Sequence, residues 1–111
     1  EVQLKKHYSD KTNWREMLKI ENCSIDLEKE RLNSLDFIPS EAKPFIEKKS
    51  FSPFEIKFPV TKYPLKTKSL NLVKEEKFDG ELVGIKGQYL IFEDETVFNI
   101  RSNEGLVVNF S

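Results

Sequence analysis

The spacing of apolar positions changes near residue 50. Before it, apolar residues recur three or four apart, the interval of one helix face. Val2, Leu4 and Tyr8 form one such set, and Trp14, Met17 and Leu18 another. A break at Asp10 to Asn13 separates them, and Asn13 with Glu16 has capping-box spacing. A third helix is predicted over 25–35, with Asp26 and Lys29, and Glu28 and Arg31, at pairing distance outside and Leu32 and Leu35 inward. After Pro39, Ser40 is the expected N-cap of a short helix that tolerates Pro44 early and buries Phe45 and Ile46.

Beyond Phe51 the period becomes two. Phe54, Ile56 and Phe58 alternate with Glu55 and Lys57, and Leu70 with Leu72 resumes the alternation; Pro59 and Pro64 belong at an edge or between strands. All four glycines fall after residue 76, in the stretch with the clearest strands: Leu82 to Ile85, Tyr89 to Phe92, Val97 to Ile100 and Leu106 to Phe110. Their short connections require antiparallel neighbours. Gly80, Gly84 and Gly87 mark bends or places where another backbone passes close. The second of these strands is apolar on both faces, Tyr89 and Ile91 against Leu90 and Phe92, so it is expected to be central or covered. The third reads as half-buried, with Phe98 and Ile100 inward and Asn99 and Arg101 outward.

The expected fold class is α+β: short N-terminal helices followed by a small antiparallel β-sheet or partly closed β-barrel, an SH3- or OB-like meander. Residues 1–50 form the helical segment, the end of an upstream domain or an appendage, and 51–111 the antiparallel β domain. The chain opens on Glu1, without Met and already in helical pattern, which reads as a piece of a longer protein.

Nine phenylalanines make burial depend on large rings. No apolar run approaches the roughly 18 residues of a membrane span and no signal-peptide pattern opens the chain, so no membrane partner and a cytoplasmic location are expected. Cys23 and His7 are each the sole residue of their type, which excludes an intrachain disulfide and argues against an all-protein zinc site. Nucleophilic catalysis would need Cys23 or a serine beside a histidine and only His7 is available, so this piece is read as non-enzymatic, with the parent chain left open. The glycine spacings 80–84 and 84–87 match no phosphate loop, and no cofactor is expected. Glu93, Asp94 and Glu95 offer carboxylates to a hard cation, but a solvated hairpin tip is the simpler reading.

A net charge of −1 is not that of a strong nucleic-acid binder. Charge is nonetheless uneven, with six lysines against two acids from Lys57 to Lys77. Lys62, Lys66 and Lys68 there make a candidate basic strip; a mixed solvated surface, with lysines guarding sheet edges, is the plain alternative. A second candidate set, Lys86, Gln88, Tyr89, Asn99, Arg101 and Asn103, gathers polar groups and an aromatic at the ends of neighbouring strands, as small barrels do for single-stranded nucleic acid or peptides. Its structural alternative has Arg101 capping a turn, Asn103 in a left-handed turn before Gly105, and Tyr89 in the core. Trp14 likewise reads as core before ligand-stacking.

The segments VGIKGQYLIFEDETVFNIRSNEG (83–105), HYSDKTNWREML (7–18) and FPVTKYPLKTKSLNL (58–72) resemble the C-terminal part of an uncharacterised bacterial domain-of-unknown-function family found in Bacteroidetes-type sequences. The resemblance covers essentially the whole chain. It implies, upstream, a zinc-ribbon-like stretch and a segment similar to GIY-YIG nucleases. In that nuclease fold a helical glutamate in an E-x-x-L pattern holds the divalent metal, and Glu1-Val2-Gln3-Leu4 matches it, which makes Glu1 a metal ligand by resemblance alone.

Two functions are therefore expected to compete. One is a non-catalytic C-terminal module that positions a nuclease-like domain on DNA or RNA, in contact with the upstream domains of its own chain. The other is a structural or protein-interaction module, including a homodimer formed through exposed aromatics such as Phe51 and Phe54.

Overall fold

The computed structural model describes residues 2–21, 24–47 and 52–111. The chain divides into two units, Glu1–Asn13 with Asn22–Ile56, and Trp14–Glu21 with Lys57–Ser111.

In the first unit α2 (Leu27–Ser34) is started by Asp26, whose carboxylate accepts from the Lys29 N–H at 3.0 Å. Asp26 is thus a cap and not the ion-pair partner of Lys29, whereas Arg31 and Glu28 do pair, at 3.1 Å. Arg31 also donates to the Glu47 carbonyl at 3.0 Å. Short 3-10 turns follow at Leu35–Phe37 and Lys43–Phe45, and another precedes at Leu4–Lys6. The His7 ring stacks on Phe37 with centroids 3.7 Å apart. No described residue of this unit is buried: Leu32 and Phe45, both expected to point inward, are exposed.

The second unit is built on a four-stranded sheet of β1 (Lys68–Ser69), β2 (Leu82–Lys86), β3 (Tyr89–Phe92) and β4 (Thr96–Asn99), in the order β1-β4-β3-β2. The sheet is open and mixed. The β2–β3 and β3–β4 pairs are antiparallel hairpins, while β1 runs parallel to β4. β3 is central, as its two apolar faces require. On one face Tyr89, Ile91 and Val97 pack with Leu18, Trp14 and Met17 of α1 (Trp14–Lys19), and with Val60 and Val83. Six residues are too few for a stable isolated helix, so α1 owes its existence to this packing. On the other face Leu90, Phe92 and Phe98 line a groove together with Leu70, Leu72 and Phe78, with Phe78 edge-on to Phe92 at 4.8 Å.

The chain reaches β1 by an unusual path. Val60 bridges to Gly84 outside β2, and Thr61 N–H donates to the Val83 carbonyl. Residues 61–67 then cross the end of the sheet that carries the 93–95 turn and enter β1 at the opposite edge. Four interstrand spacings amount to about 19 Å. The chain has slack for this crossing, and this strap bends at 61–62 and again at 65–66. Pro64 is accommodated because no ladder runs there. Glu95 pins the strap: its Oε1 accepts from the Leu65 and Lys66 N–H groups at 3.0 and 3.3 Å.

Four strand expectations are corrected by this arrangement. Leu106 to Phe110 forms no strand, since β1 occupies the outer edge of β4 and Val60 that of β2. Phe54 and Ile56 are exposed outside any strand, and the pairing with β2 is limited to the Val60 bridge and its flanking bonds. The Leu70 and Leu72 alternation is replaced by β1 and then by α3 (Leu72–Glu75), which Asn71 caps through the Val73 N–H at 3.1 Å. β4 is not half-buried: Thr96, Val97 and Phe98 are all buried between two neighbours and two covered faces, and Ile100 turns helical (φ −60°, ψ −44°) and leaves Phe98's face. The antiparallel hairpins hold, but the sheet as a whole is mixed.

Candidate functional site

A small cleft of about 200 Å³ opens where α1 begins and where β3 and β4 meet at their Tyr89–Asn99 end. Its ring wall is Trp14 lying parallel on Tyr89, centroids 5.4 Å apart and planes within 8°. On Trp14 rests the Arg15 guanidinium, 4.2 Å from the ring centroid. Leu70 and Val97 supply apolar lining, and Ser69, Asn99 and Ser102 polar lining.

The Asn99 amide is held in one orientation. The Ser102 backbone N–H, which can only donate, meets it at 3.2 Å, so that atom is Oδ1. Gln88 Nε2 donates to the same oxygen at 3.1 Å. The Asn99 Nδ2 group is left without an acceptor among the described residues. The Asn99 carbonyl accepts from Ser102 Oγ at 3.1 Å and Asn103 Nδ2 at 2.7 Å, which fastens the turn Arg101–Asn103 to the end of β4. The Tyr89 hydroxyl receives only a long 3.5 Å contact from Gln88 Nε2 and keeps its own proton free to donate.

Strand ends therefore bring together Gln88, Tyr89, Asn99 and Asn103 of the polar set read from the sequence. Arg101 is exposed and opens the turn whose Ser102 lines the cleft. Lys86 is elsewhere. With 6% of its surface exposed, it sends its ammonium to the carbonyls of Met17 at 2.8 Å and Ile20 at 2.6 Å, groups that the end of α1 leaves without helical partners. The rings of Phe58 and Tyr63 flank it at 5.6 and 5.4 Å. Burial holds its pKa below the ordinary lysine value, with the Glu21 carboxylate opposing. The strand alternation could have shown this: Lys86 shares a face with Gly84 and pairs with Tyr89, a core position.

The lysine strip lies at the other end of the sheet, on the acidic hairpin tip. Lys62 Nζ is 3.4 Å from Glu93 Oε1 and Lys68 Nζ donates to the Asp94 carbonyl at 3.3 Å, while Lys66 joins through its backbone. From Thr96 at that end to Asn99 at the cleft is about 10 Å along β4. Asp94 is also engaged, its carboxylate accepting from the Thr96 hydroxyl and N–H, which hold its pKa below the ordinary value. No three metal-ligating side chains gather among the described residues, and Glu1 and Cys23 lie outside them. Trp14, Ser69 and Ser102 were not in the polar set, because they reach the cleft from three separate elements.

On the second face of the sheet a groove of about 450 Å³ of mixed lining runs between Leu90, Phe92 and Phe98 and the segment carrying Val107, Val108 and Phe110, with Glu76, Lys77 and Asp79 also on its wall.

The family described as "Protein of unknown function (DUF2797)" matches residues 1–108. The chain belongs to that family. No curated protein and no solved structure matches it significantly. Family membership therefore adds no ligand to the geometry. No helix among the described residues is long and apolar enough to cross a membrane.

Proposed function

We propose that the sheet unit is a non-catalytic recognition module that takes an unstacked base of single-stranded nucleic acid in the Trp14–Tyr89 cleft. The carrying observation is the Arg15–Trp14–Tyr89 stack, beside polar groups with unengaged donors. The faces of Trp14 are taken by Tyr89 and Arg15, so a planar heterocycle in the cleft would pack against the edges of these rings while its own edge meets hydrogen-bonding side chains. Arg15 and Arg101 supply positive charge near it. The resemblance to chains with a nuclease-like segment upstream supports a positioning role for the module. The Lys62, Lys66 and Lys68 strip is not the main contact on this reading, since its charge is opposed by Glu93 and Asp94 close by.

The test is fluorescence anisotropy of labelled single-stranded, duplex and branched oligonucleotides at two salt concentrations. Single strands are expected to bind best, with a salt slope corresponding to roughly one or two phosphates. Absence of binding to every oligonucleotide at low salt sinks the proposal.

The exposed Val107 and Phe110 beside the groove on the second face favour a second reading, a module that pairs with a second copy of the chain. Phe54, 90% exposed, is consistent with it, whereas Phe51 lies outside the described residues. Light scattering that reports a monomer at high concentration removes that reading.

A further inference from the structure

We infer that the cleft selects a base whose edge is rich in acceptors, thymine or uracil over adenine. This rests on the reading of the cleft as a base site. The orientation of Asn99 is fixed by a backbone N–H, so the amide has two unengaged N–H donors and a saturated oxygen. The Tyr89 hydroxyl also has a proton and no acceptor. Ser102 Oγ spends its proton on the Asn99 carbonyl and lies 3.3 Å from Asn103 Nδ2, so it adds no donor and keeps one acceptor site against the three free protons of Asn99 and Tyr89. Ser69 Oγ can accept or donate. The polar lining is therefore donor-rich.

Thymine and uracil present two carbonyl oxygens around one N–H, the complement of such a lining. Adenine sets its exocyclic amino group beside the acceptor nitrogen of either edge, so one donor of the lining can pair and another meets a donor. A lost or opposed pairing at a site built for hydrogen bonding discriminates more strongly than a change of size, because the unpaired groups stay desolvated. The cleft is also small beside pockets of roughly 300–1,000 Å³ that hold drug-sized ligands, which suits one ring.

The experiment compares labelled oligo-dT and oligo-dA of equal length against the whole chain, wild type and Asn99→Asp. The aspartate keeps oxygens for Gln88 Nε2 and the Ser102 N–H and replaces the free donors by an acceptor. Wild type is expected to prefer oligo-dT by about tenfold, the effect of about 1.4 kcal/mol. In Asn99→Asp that ratio is expected to fall to one or invert, whatever the added charge does to both affinities. Equal wild-type binding of the two oligomers overturns this inference alone, without reliance on the variant's folding. Binding of neither overturns the recognition module with it.

Discussion

The Lys86 ammonium donates to the carbonyl of Ile20 at 2.6 Å, joining the end of β2 to the C-terminal end of a helix more than sixty residues earlier in the chain. A cation is favoured at that end of a helix, and here it meets two carbonyls. Lys86→Met keeps the apolar stem and leaves both carbonyls unpaired. A loss of about 2 kcal/mol is expected, with a change in Trp14 fluorescence as α1 loosens, both measurable in one urea titration.

The same lysine fixes a pH dependence. Its folded pKa lies below the ordinary 10.5, so above the folded value the unfolded chain binds the extra proton. Its contribution to stability therefore rises with pH between the lowered value and 10.5. The neutral amine still has two N–H donors for the two carbonyls. The stability difference between wild type and Lys86→Met should widen through that alkaline window. A difference that shrinks there would mean the charge itself holds α1.

Glu95 sits at φ +70°, a left-handed conformation uncommon outside glycine, while its carboxylate holds the strap. Two effects oppose in Glu95→Gly: relief of the backbone, about 1 kcal/mol, and loss of two charge-assisted bonds, about 1.5–3 kcal/mol. The bonds should win, leaving Glu95→Gly destabilised, and Glu95→Ala more so because it loses them without the relief. Thermal unfolding of the two variants should keep that order.

Gly84 has no room for a side chain. A Cβ there would lie 2.9 Å from both Cγ atoms of Val60, at the bridge that begins the strap. Gly84→Ala should cost about 1–3 kcal/mol, and Val60→Ala in the same chain should recover part of it by removing the opposing methyls.

These two residues also show how far the sequence could be read. A glycine amid β-formers signals a bend or a close backbone, and Gly84 is where Val60 passes. The two-faced run Tyr89 to Phe92 required a central strand, and β3 is one. What defeated periodicity was pairing that leaves no periodic trace. β1 is two exposed residues whose place follows from bonds such as Leu70 N–H to the Val97 carbonyl. Because β1 takes that edge, the apolar alternation of 106–110 has nowhere to pair. At the cleft, Gln88, Tyr89, Asn99 and Asn103 were legible because a tight hairpin and a short turn bring them together. Trp14 and Ser69 reach the same cleft through tertiary packing, which no local pattern encodes. Lys86 read as a surface group because lysine is seldom buried unless paired, and its partners are backbone carbonyls.

Thr67 Oγ1, in the strap, is buried without a partner among the described residues. Thr67→Val keeps the branched shape and removes the unsatisfied hydroxyl, so a gain of about 1 kcal/mol is expected, seen as a raised melting temperature.

Trp14 is the sole tryptophan, which makes the cleft directly observable. The most direct measurement is its emission during titration with unlabelled oligo-dT at low salt. A base seated in the cleft beside the Trp14 ring should quench it saturably, with the same midpoint as anisotropy of the labelled strand, and Tyr89→Leu should weaken both together. Anisotropy that saturates while Trp14 emission stays unchanged would place the nucleic acid elsewhere and contradict the cleft as its site.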